Sequence, residues 1–119
     1  MKRILICEDE PDVQLSLKKT LEKLSYEVFC AMDGKESLEL AKRLDLDLIL
    51  LDIRMPKVDG IEVAKEIRKF DARTKIIFIT AFQGSELPKE AAKYDISDYI
   101  VKPVSNEQVI KAVQCALKD

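Results

Sequence analysis

At 119 residues the chain has the length of one domain, which buries roughly two-thirds of the surface that its unfolded form exposes. Apolar residues at 47% and charged ones at 35% exclude a disordered chain, and a net charge of −2 with both signs interspersed gives no broad basic footprint for nucleic acid. No apolar run could span a bilayer, and the run Ile4–Cys7 is too short for a secretory h-region, so a cytoplasmic protein without membrane or nucleic-acid partners is expected. Cys7, Cys30 and Cys115 are far apart and no histidine is present to complete a zinc set; they read as small core residues. With three glycines in all, nothing resembles a phosphate loop or a dinucleotide fingerprint.

In chain order, Ile4-Leu5-Ile6-Cys7 predicts a buried strand, followed at once by Glu8-Asp9-Glu10. Pro11 suits the first helical position with an acidic residue before it as cap, and Val13, Leu17, Leu21 and Leu24 recur at helical spacing. Val28–Ala31 predicts a second strand. A capped start at Asp33-Gly34-Lys35-Glu36 leads into a stripe of Leu38, Ala41 and Leu44. The third strand is Leu48–Leu51, ending on Asp52, and Met55-Pro56 forbids its simple continuation. A third helix is expected from about Gly60, with Val63, Ile67 and Phe70 facing inward. Ile76–Ile79 predicts a fourth strand ending at Thr80. Gly84-Ser85 opens a short, weakly patterned fourth helix to about Tyr94, and Tyr99–Val101 is a fifth strand ending at Lys102-Pro103. Ser105-Asn106-Glu107-Gln108 matches a capping box before a fifth helix with Val109, Ile110, Val113, Ala116 and Leu117.

Strands that are apolar throughout need both faces covered, and their alternation with helices implies a parallel sheet with right-handed crossovers. All strand C-terminal ends then share one edge, where the chain places Glu8, Asp9, Asp52, Thr80 and Lys102. The fold class is α/β, a doubly wound, flavodoxin-like (βα)5 sheet of order 2-1-3-4-5, whose crevice opens between the strands carrying the acidic pair and Asp52. Taken singly, each residue has an ordinary explanation: a solvated Lys102, a strand-ending Thr80, a half-buried Tyr99, acidic residues at a helix N-terminus. Their arrival together at one edge is what makes them candidates.

The whole chain resembles the receiver domain of two-component response regulators, the family of the chemotaxis response regulator, and 1–119 is read as one such domain. The resemblance rests on Glu8-Asp9, Asp52 with Met55-Pro56 and Asp59-Gly60 behind it, Thr80-Ala81, and Tyr99 before Lys102-Pro103. Glu8 departs mildly from the family, which more often has aspartate there. Carboxylates crowded at one edge repel, a divalent cation relieves this, and an all-oxygen donor set suits Mg²⁺, for which Mn²⁺ substitutes. Glu8, Asp9 and Asp52 are the candidate ligands, and the resemblance adds the Arg54 main-chain carbonyl. Asp52 is then the phosphoacceptor nucleophile, flanked by Lys102, with the Thr80 hydroxyl meeting a phosphoryl oxygen.

The resemblance further implies a cis Lys102-Pro103 bond, a Thr80–Tyr99 switch, and a readout face formed by the fourth helix, fifth strand and fifth helix. It implies a histidine kinase or histidine phosphotransferase as donor, and a downstream protein or attached output domain as recipient of the signal. Such a domain is not an ordinary enzyme but promotes its own phosphorylation and dephosphorylation. Arg54 and Phe82, each two residues beyond a site residue, offer no group to position an attacking water and predict slow loss of phosphate. Two other classes fit worse. A haloacid-dehalogenase-type phosphatase needs a second acid where Arg54 stands, and a flavodoxin-like electron carrier needs a hydroxyl- and glycine-rich loop where Glu8-Asp9-Glu10-Pro11 would repel flavin phosphate. A receiver that has lost its site is argued against by the complete set of residues.

Overall fold

A computed structural model describes residues 1–81 and 91–118. The described residues form β1 (Arg3–Cys7), α1 (Pro11–Glu22), β2 (Glu27–Ala31), α2 (Gly34–Arg43), β3 (Leu48–Asp52), α3 (Gly60–Arg68), β4 (Lys75–Thr80), a 3-10 turn (Ala91–Tyr94), β5 (Asp98–Val101) and α4 (Asn106–Ala116). The five strands pair in parallel in the order 2-1-3-4-5, as expected from the sequence. Of the expected fourth helix, residues 84–90 lie outside the described residues, and the remainder is the 3-10 turn. The expected fifth helix is therefore α4.

Alternation along the central strands divides the core in two. Leu5, Cys7, Ile49, Leu51, Ile76 and Phe78 pack on one face of the sheet against α2 and α3. Ile4, Ile6, Leu48, Leu50, Ile77 and Ile79 pack on the other against α1 and α4. Every residue of β3 is buried, so Asp52 ends a strand that has no solvent-facing side. β2 lies at the margin, and its apolar run is only partly buried for that reason.

The helix starts follow from local chemistry. Asp33 and Asp59 accept the amides of Glu36 and Glu62 at 2.8 and 2.9 Å, and Ser105 and Gln108 form the expected capping box. Glu10 behaves differently: among the described residues its side chain makes no capping bond, though Pro11 opens α1 as expected. Two glycines fix the loop after β3. A Cβ on Gly60 would stand 2.4 Å from the Asp52 carbonyl oxygen, and one on Gly34 would stand 2.0 Å from that of Val58. Only hydrogen at these positions lets α3 begin against the end of β3 and α2 begin against the β3–α3 loop.

Three expectations are corrected. Phe70 is 44% exposed, because α3 ends at Arg68 and the helical stripe ends with it; its ring lies under the Lys42 ammonium, 5.9 Å away. Leu24 lies beyond the end of α1 and is likewise exposed. Of the cysteines only Cys7 is buried, where burial pushes its thiol up to about 12, while Cys115 is exposed on α4.

Candidate functional site

The C-terminal ends of β1, β3 and β5 bring Glu8, Asp52 and Lys102 together. Asp52 is 2% exposed. Its Oδ2 accepts from Lys102 Nζ at 2.8 Å, and its Oδ1 accepts the Arg54 amide at 3.0 Å. Lys102 Nζ also donates to Glu8 Oε1 at 3.3 Å and to Glu10 Oε1 at 3.2 Å, so three carboxylates share one ammonium. The Lys102-Pro103 peptide is cis, as the resemblance implied, and the Lys102 amide donates to the Thr80 carbonyl at 2.8 Å. That bond ties the lysine's backbone to the end of β4.

Glu8 has no exposed surface. Burial pushes its carboxyl up to about 8, the neighbouring Asp52 pushes the same way, and Lys102 pulls back only in part. For Lys102, burial works to lower the ammonium's pKa. The hydrogen bond and charge of Asp52, with Glu8 and Glu10, overcome it and hold Lys102 above the ordinary lysine range. Glu8 Oε2 is buried and finds no hydrogen-bond partner among the described residues. Oxygens of Glu8, Asp9 and Asp52 lie within 4.8 Å of one another. A compact set of hard oxygen donors, one with an unused buried lone pair, fits a small divalent cation.

Around this centre, Asp9, Arg54, Met55, Pro56 and Asp59 line a concavity of about 560 Å³. Thr80 is buried at the end of β4, opposite Val101 in the strand register. Tyr99 pairs with Phe78 and is 41% exposed. Phe82 lies outside the described residues. Sequence reasoning missed Glu10, which it read as a cap. Glutamate is not among the side chains that cap well, being a methylene too long, and here the carboxylate reaches Lys102 instead.

A doubly wound sheet with this edge defines a small set of proteins, and comparison decides among them. The model of the response regulator receiver domain matches residues 4–114, and the chain belongs to that family, the receiver domains of two-component response regulators. The chemotaxis protein CheY of Thermotoga maritima is 38% identical over 113 residues, which cover 94% of each protein. The regulatory protein AtoC of Escherichia coli is 36% identical over 118 residues, or 99% of this chain but 26% of AtoC. The chain likewise spans 51% of the transcriptional regulatory protein CrdR of Helicobacter pylori. Among solved structures, response regulator TrrA of Thermotoga maritima, in complex with Mg²⁺-BeF, superposes with a TM-score of 0.88 at 36% identity, covering 98% of this chain and 100% of that one. Receiver domains as a family bind Mg²⁺ and take phosphate from histidine kinases. Among the described residues no helix is long and apolar enough to cross a membrane.

Proposed function

We propose that this chain is a cytoplasmic phosphoacceptor whose acceptor is Asp52. The observation that carries the reading is the 2.8 Å contact of Lys102 Nζ with Asp52 Oδ2 beside the Glu8–Asp9–Asp52 oxygen cluster. An Asp52 carboxylate oxygen forms a bond to phosphorus as the bond from phosphorus to a donor imidazole nitrogen breaks, and that electron pair stays with the ring. The imidazole belongs to a histidine kinase or histidine phosphotransferase, since this chain contains no histidine. Lys102 balances the charge spread over the phosphoryl oxygens. Glu8, Asp9, Asp52 and the Arg54 main-chain carbonyl hold Mg²⁺ or Mn²⁺, which when bound neutralises charge on the same oxygens.

Thr80 donates its hydroxyl to a phosphoryl oxygen, and Tyr99 responds on the neighbouring strand. The surface carrying β5 and α4 then signals to a downstream protein or an attached output domain. The chain turns over no separate substrate; it promotes its own phosphorylation and a slow hydrolysis screened by Arg54 and Phe82. The test is acetyl phosphate with Mg²⁺, followed by intact-mass measurement of wild type and Asp52→Asn. One phosphoryl group on wild type and none on the variant is the expected result; equal labelling of both would overturn the assignment.

A further inference from the structure

Gln14 sits at the fourth position of α1, one turn beyond Pro11, where sequence pattern alone gives it no role. Its Nε2 donates to the carbonyl oxygen of Glu8 at 3.1 Å and to that of Ala31 at 3.1 Å, with Met32 Sδ at 3.2 Å. Both oxygens are main-chain acceptors, so the side chain must present N–H groups there. Ala31 ends β2, and its carbonyl also receives the Glu8 amide at 3.1 Å. The Glu8 backbone is therefore held at both its N–H and its C=O. The second of these bonds grips the planar peptide unit that joins Glu8 to Asp9, and both acidic side chains spring from its two ends.

We propose that Gln14 is a positioning residue for cation binding: its amide locks the Glu8–Asp9 peptide to the end of β2 and so aims both carboxylates into the site. The inference rests on the cation-binding reading given above. It extends that reading to a residue that touches neither the cation nor the phosphoryl group. Partners that orient metal ligands from outside are worth 10- to 100-fold in metal affinity in general, and a bond to the ligands' own backbone acts in the same sense.

Gln14→Met keeps the length and helix propensity and removes the donors; Gln14→Arg keeps N–H donors. Free Mn²⁺ is titrated by electron paramagnetic resonance against wild type, both variants and Asp9→Ala, and unfolding midpoints are taken in a chelator. Gln14→Met is expected to weaken Mn²⁺ binding by about tenfold or more, with Gln14→Arg recovering most of the loss. Gln14→Ala replaces Gln14→Met if the latter does not fold. A lower midpoint with wild-type Mn²⁺ affinity would make Gln14 a packing residue only, and equal loss in the methionine and arginine variants would equally overturn the inference. Both results leave the site reading intact. Absence of Mn²⁺ binding to wild type, or wild-type binding by Asp9→Ala, would instead overturn the site reading and this inference together.

Discussion

Glu8 is a carboxyl group with no exposed surface, set beside Asp52, and its proton balance links the site to stability. Its folded value, about 8, stands above the ordinary 4.5. Between those values the folded state binds more protons than the unfolded one, so this group's contribution to stability is full at low pH and is lost as pH rises toward 8. Metal-free wild type is expected to lose urea resistance across that window, and Glu8→Gln to lose less; parallel midpoints in the two proteins would contradict this. Lys102 faces three carboxylates, and Lys102→Ala leaves them without an ammonium. Phosphorylation of that variant by acetyl phosphate is expected to slow by about 10²-fold or more, the usual effect of removing one preorganised charge-stabilising group. A rate near wild type would remove Lys102 from the chemistry.

At the scale of single elements, the β3–α3 junction tolerates no side chain at its hinge. Gly60→Ala places a methyl group 2.4 Å from the Asp52 carbonyl oxygen, an overpacking that typically costs about 1–3 kcal/mol. Urea unfolding measures the loss, and an unchanged midpoint would show that the junction yields. Ser105→Ala removes one half of the capping box on α4 and is expected to cost about 0.5–2 kcal/mol by the same measurement. The strands were legible because β1, β3 and β4 are covered on both faces, which makes an unbroken apolar run the only stable sequence. Asp52, Thr80 and Lys102 were legible because such a run must stop where the strand leaves the sheet. Phe70 was misread because a helical stripe carries no mark of where the helix ends. Glu10 and Gln14 escaped for another reason: Glu10 meets Lys102 across 92 residues, and Gln14 meets main-chain carbonyls 6 and 17 residues away, bonds that no side-chain pattern encodes.

Across the whole molecule, the sheet joins the proposed site to the proposed readout surface. Thr80 and Val101 stand side by side in the register, and Tyr99 lies two residues back on the same strand. Tyr99, Gln108, Lys111 and Cys115 line an open groove of about 540 Å³ between β5 and α4. In the proposed reading, coupling through these strands would be a shift between two arrangements, each favoured by different contacts. Tyr99→Ala is therefore expected to accept phosphate at the wild-type rate and to bind a downstream partner with less difference between its two states. Loss of phosphorylation in that variant would give Tyr99 a structural role instead.

The loop that follows Asp52 is fastened along its length. Ile53 donates its amide to Ile79, Gly60 donates to Ile53, and Gly34 of α2 donates to Pro56 across the glycine contact with Val58. The backbone just beyond Asp52 is thus bolted to β4, to the start of α3 and to the neighbouring α2. A disturbance at Asp52 therefore meets little compliance in this loop, and the bond to Ile79 ties the loop to β4. Amide hydrogen exchange measures this directly: Ile53 and Gly60 are expected to exchange only through global unfolding, with the same slow rates before and after phosphorylation.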